Sequence, residues 1–113
     1  MSNPATLTIA VNGVYFDQIA AGTKSEEYRL VNDYWAKRLE HRRIDRVVLT
    51  RGYPKGGGIE GVTRLTRRWN GCTPKTITHP HFGPEPVRVY AIDVSKADQI
   101  IALQQSYKEE GKS

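Results

Sequence analysis

Every apolar run in this chain is short, only a few residues as in Val47-Val48-Leu49, and each is soon interrupted by glycine, proline, asparagine or a charge. That spacing excludes a membrane-spanning helix, which needs about twenty predominantly apolar residues in succession. It also requires the fold to be assembled from several short elements that share a core. A chain of 113 residues has room for one such core. We therefore read residues 1–113 as one domain, with a body at about 7–95 and a C-terminal helix at about 96–107. The 38% hydrophobic and 26% charged residues are the balance of a globular protein. Met1-Ser2-Asn3-Pro4 has neither the basic nor the apolar region of a secretory leader. Cys72 is the sole cysteine, so no internal disulfide can form. A cytoplasmic location is the expectation.

Leu7-Thr8-Ile9-Ala10-Val11 alternates and predicts a first strand. Asn12 suits a helix N-cap, and Tyr15, Phe16, Ile19 and Ala20 give the helix after it an apolar face. Gly22 is placed to stop that helix, and 24–30 reads as a second strand. Asn32 opens another helix, on which Trp35 and Leu39 lie one turn apart. Residues 46–50 read as a central strand, 52–58 as a turn, 59–69 as a further strand and 71–86 as a long loop. Residues 87–94 alternate again, and Ser95 with Asp98 forms a capping box for a final helix carrying Ile100, Leu103 and Tyr107. Strands interrupted by about three short helices, with turn signals at close spacing, predict a small α+β mixed barrel.

The net charge of +5 is unevenly spread. Residues 37–68 carry ten Lys or Arg against three acidic residues, and the remainder is slightly acidic. A basic middle section of this kind attracts phosphates; it is equally what a solvated surface looks like.

The segment Tyr15-Phe16-Asp17-Gln18-Ile19-Ala20-Ala21-Gly22-Thr23-Lys24-Ser25-Glu26-Glu27-Tyr28-Arg29 resembles the opening of ASCH domains, relatives of the PUA RNA-binding fold. The hallmark is a Gly, a Lys two later, a Glu three after that and an Arg two further on. Gly22, Lys24, Glu27 and Arg29 fill all four positions. Trp35-Ala36-Lys37-Arg38-Leu39 and Arg51-Gly52-Tyr53 also look like the family, and the resemblance spans about residues 7–95. It implies a PUA-like mixed β-barrel with a cleft for RNA or a nucleotide. Some members hydrolyse RNA, and others remove an acyl group from a modified cytidine. The acyl-removing branch has a threonine nucleophile where this chain has Glu27, and a carboxylate cannot replace that hydroxyl, so deacylation is not expected.

The residue types give the motif chemistry of its own. Lys24 supplies a point charge, or a base if desolvated; Glu27 orients it or accepts from a base amino group; Arg29 offers a planar fork. In a regular strand Lys24 and Glu27 face opposite sides, so they share a pocket only if Lys24 lies in the turn or the strand carries a bulge. Otherwise Glu27 and Arg29 form a salt bridge on the sheet and Lys24 is merely exposed.

Arg51 and Tyr53, flanking Gly52, suit base stacking and phosphate binding, or else are an exposed strand-end arginine and a packed tyrosine. Arg67 with Trp69 on one strand face makes a further nucleic-acid contact or a solvated surface. Lys55 with Gly56-Gly57-Gly58 lacks the ending of a phosphate loop and reads as a hairpin. His79 and His81, separated by Pro80 in the same loop as Cys72, have no recognisable third ligand to complete a metal site, although a histidine there suits general acid–base work in RNA cleavage. No metal or cofactor is expected. The expectation is an RNA- or nucleotide-binding module using Lys24, Glu27, Arg29, Arg51, Tyr53 and Arg67, with a metal-independent RNA hydrolase using Lys24 as the alternative. A homodimer is left open.

Overall fold

Leu7, Ile9 and Val11 alternate with exposed or partly exposed neighbours, and the computed structural model, which describes residues 4–97, buries all three on one side of β1 (Thr6–Val11). The Asn12 side chain accepts from the Val14 amide at 2.7 Å and starts α1 (Gly13–Ala21), whose Phe16 and Ile19 enter the core. Gly22 closes that helix at φ 82°, a left-handed conformation that only glycine adopts without a Cβ penalty. After β2 (Glu26–Leu30), Asn32 caps α2 (Asp33–Leu39) through the Trp35 amide at 2.9 Å. β3 (Arg46–Arg51), β4 (Arg64–Arg68), β5 (Cys72–Ile77) and β6 (Val87–Asp93) follow.

The strands form two three-stranded sheets, ordered β1-β3-β4 and β2-β6-β5. β1 runs parallel to β3, with Leu7 opposite Val47 and Ile9 opposite Leu49. A parallel pair needs a long crossover, and α1, β2 and α2 supply it. The other pairs are antiparallel. Both sheets and both helices feed one buried cluster, in which Ile9, Val47, Leu49, Ile92 and Val94 are almost wholly shielded from water. Each such aliphatic side chain contributes about 1.5–3 kcal/mol.

This architecture corrects three expectations. The α+β mixed PUA-like barrel does not form: the molecule is mostly β, and its sheets stay open. Closure needs a hydrogen-bonded ladder between the sheets, whereas among the described residues the chain leaving β6 meets β4 at the isolated bridge Arg67–Ala97 and the Arg68 amide bond to the Lys96 carbonyl. The long loop at 71–86 contains β5, an edge strand paired only with β6 and mostly exposed. The strand expected over 59–69 is confined to β4, because Gly61 at φ 82° and the Val62 and Thr63 amides returning to the Ile59 carbonyl turn the chain before it. Two α-helices lie among the described residues. The expected third, at about 96–107, lies almost entirely outside them.

Candidate functional site

The turn after α1 decides where Lys24 goes. The Thr23 and Lys24 amides both donate to the Gln18 carbonyl, at 2.9 and 3.2 Å, so Lys24 is held in the turn and β2 begins only at Glu26. Freed from the strand's alternation, Lys24 reaches the side on which Glu27 lies. Its Nζ is 3.9 Å from Glu27 Oε1, 4.6 Å from the centre of the Tyr28 ring and 5.2 Å from that of Tyr15. Its side chain is 13% exposed. Burial lowers its pKa below the ordinary lysine value; Glu27 and Glu26 oppose that shift, and Arg29 adds to it.

Glu27 is buried, and its carboxylate is fully engaged. Oε1 accepts from the Tyr28 amide at 3.0 Å, and Oε2 from Arg29 Nη2 at 3.0 Å. Arg29 Nη2 also donates to the Ala10 carbonyl at 2.9 Å, which ties β2 to β1, and the guanidinium lies 5.2 Å from the Trp35 ring centre. Arg29 Nε is buried without a hydrogen-bond partner among the described residues. The sheet-face salt bridge Glu27–Arg29 therefore forms, and Lys24 joins it. A carboxylate held this way orients the two cations; it is not a free nucleophile.

The opposite wall comes from the connection between β5 and β6. Pro80–Phe82 makes one 3-10 turn, in which the His81 amide donates to His79 Nδ1 at 3.1 Å, leaving Nε2 as the ring nitrogen that bond does not use. The His79 ring packs 5.8 Å from Tyr15 and 6.2 Å from Tyr28, and His81 lies 6.0 Å from Tyr15. Between the walls is a cleft of ≈ 270 Å³, lined also by Asn12, Asn32, Trp35 and Phe82. Tyr28 is fixed at its tip: its hydroxyl donates to Glu26 Oε1 at 3.1 Å, and Lys75 Nζ holds the same carboxylate at 2.9 Å. Burial, then the Glu26 bond, raises the Tyr28 pKa.

Three expected site residues lie elsewhere. Arg51 pairs with Asp17 at 3.3 Å and rests against Gly13, where an added Cβ would come within 2.8 Å of the guanidinium. Tyr53 is 95% exposed on the connection after β3. Arg67 is half-buried beneath the end of α1, where its Nη2 reaches the Ile19 carbonyl at 3.5 Å. Neither Arg51, Tyr53 nor Arg67 lines the cleft. Conversely, the cleft is also lined by Tyr15 and Trp35, which the sequence presents as helix-face residues within the ASCH-like segments, and by Phe82, which carries no sequence signal of a site. The signal of the first two is position: Tyr15 and Trp35 each lie three residues after a capping asparagine, where the helix start opens onto the cleft.

Comparison with family models, curated proteins and solved structures finds no match to this chain. No helix among the described residues is long and apolar enough to cross a membrane.

Proposed function

We propose that this chain is an ASCH-type RNA- or nucleotide-binding module of the cytoplasm, and that the cleft between Lys24 and the His79–Phe82 turn holds a nucleobase with its attached phosphate. The observation that carries this reading is Lys24, an ammonium shielded from water between two tyrosine rings, beside a committed Glu27–Arg29 pair. Aromatic faces stack on bases of any sequence, contributing about 1–3 kcal/mol per base. A sequestered lysine attracts the phosphate or a base carbonyl. The match of Gly22, Lys24, Glu27 and Arg29 to the ASCH pattern supports the same reading, and it rests on the motif rather than on a closed barrel.

The test is fluorescence anisotropy with a short single-stranded RNA, at several salt concentrations, for the wild type and Lys24→Ala. A charged contact is worth about 1.5–3 kcal/mol, so K24A should weaken binding at least about tenfold and reduce the salt slope by about one. Unchanged affinity and slope in K24A would sink the proposal.

One observation favours a hydrolytic second reading. Lys24, with its pKa lowered, and the His79 and His81 rings share the cleft, so a base and an acid candidate face the same space. Chelator-treated protein should then cleave short RNA, and K24A should lose at least about a hundredfold of the rate, the low end of what positioned acid–base catalysis supplies. Equal turnover by wild type and K24A would mark the activity as a contaminant.

A further inference from the structure

We infer that a second pocket, at the C-terminal end of α1 and separate from the base cleft, is a site for a tetrahedral oxyanion such as a phosphate group, built on Arg67. The pocket, ≈ 250 Å³, is lined by two cations, Lys24 and Arg67, two serines, Ser25 and Ser95, and small or apolar residues of α1 and the chain after β6; no carboxylate lines it. Lys24 lines the base cleft as well, so the two spaces meet at its side chain.

Arg67 is an odd residue for its place. It lies opposite Val47 in the β3–β4 register, two residues on from buried Leu65, and so points toward the core side of the sheet. A guanidinium drawn out of water normally acquires a carboxylate. Arg67 forms no ion pair among the described residues, and its Nε is buried without a hydrogen-bond partner. The acid whose charge acts on it, Glu60, is already committed: it accepts from the Thr66 amide and hydroxyl, at 2.7 and 2.6 Å, and pairs with Arg64. Burial lowers the Arg67 pKa, the mark of a cation lacking compensation. The long contact to the Ile19 carbonyl uses one donor, and the C-terminal end of α1 beside it favours the guanidinium while opposing an anion. An oxyanion would complete the fork of donors and, with Lys24 on its other side, balance two positive charges.

The oxyanion has two sources, free phosphate or the backbone of RNA, and two arms separate them. In the first, inorganic phosphate is titrated into ¹⁵N-labelled full-length protein, against chloride at matched ionic strength, and the Arg67 Nε–H signal is followed. A saturable shift with phosphate alone is expected, and Arg67→Met should weaken it at least tenfold. No phosphate-specific shift overturns the proposal. In phosphate-free buffer R67M should melt at or above the wild-type temperature, because an uncompensated charge is gone. If R67M melts far below the wild type, Arg67→Lys, which keeps the charge without the fork, replaces it in the titration: binding at least tenfold weaker is expected, and unchanged binding overturns the proposal. The second arm rests on the nucleotide reading above: a dinucleotide with one internal phosphate is compared with its nucleoside. Wild type should prefer the dinucleotide at least tenfold, and R67M should lose that preference while keeping nucleoside affinity within twofold. A phosphate response without dinucleotide preference supports the site and assigns it to free phosphate. A phosphate response without any nucleoside binding supports the site and removes the nucleotide reading instead.

Discussion

Lys24 keeps its charge where water is scarce, and the fold bears the cost. Because burial places its pKa below the ordinary value of 10.5, the unfolded chain binds more protons than the native one as pH approaches that value. Stability contributed through Lys24 therefore rises with pH in the window from its lowered folded value up to 10.5. Lys24→Met should flatten that rise while leaving the native structure intact, as read by urea midpoints across neutral to alkaline pH; parallel profiles for the two proteins would refute it. At this scale the sequence was informative where chemistry followed from spacing. Gly22, Lys24, Glu27 and Arg29 meet because a glycine ends the helix, and a turn rather than a strand carries the lysine. Arg51 and Tyr53 could not be placed in the same way. The direction of a strand-end arginine is set by its partner, here Asp17 on α1, thirty-four positions away, and nothing local announces that pairing. Arg67 reads from sequence as a nucleic-acid contact or a solvated surface residue, and its half-burial depends on what α1 lays over it.

Two elements begin at the cleft, and both begin with asparagine. Asn12 and Asn32 spend their side-chain oxygens on the first turns of α1 and α2, and both line the cleft, so capping and site geometry are set by the same residues. Replacing such a cap by alanine costs about 0.5–2 kcal/mol. Asn32→Ala should therefore lower stability by about 1 kcal/mol and, by loosening the turn that carries Trp35, also weaken RNA binding, whereas Asn32→Ser should restore both. Urea denaturation alongside RNA titration checks this, and a stability loss without any change in binding would separate Trp35 from the site. The caps, the glycine stop and the alternating strands were legible because each is a local decision. β5 was not: among the described residues it pairs with one strand, leaves four successive residues exposed and accommodates Pro74 at the sheet edge, where a missing amide is tolerated. An edge strand of that composition has the local signature of a loop.

For the molecule as a whole, charge and closure behave differently from their sequence outlines. Part of the basic middle section is answered by acids: Arg43 by Asp45, Arg51 by Asp17 and Arg64 by Glu60. Barrel closure depends on whether the last strand of one sheet finds the first of the other, a long-range matter that element order does not encode. The core has a pH limit of its own. Tyr90, buried in the second sheet, donates to Glu40, and that bond, then burial, pushes its pKa up to about 12 from 10.0. The unfolded chain gives up that proton first, so Tyr90's contribution is complete below about 10 and is lost as pH climbs to about 12. Tyr90→Phe should show a shallower alkaline loss of stability, followed by circular dichroism with tyrosinate absorbance; superimposable profiles would count against it. The parallel pairing of β1 with β3 also sets an order in time. As the chain is synthesised, β1 must wait for partners some forty positions downstream, and β2, which carries Glu27 and Arg29, waits for β6 far longer still. The hairpins β3–β4 and β5–β6 need no such delay. The wall that bears the motif is made well before the strand that gives it its shape.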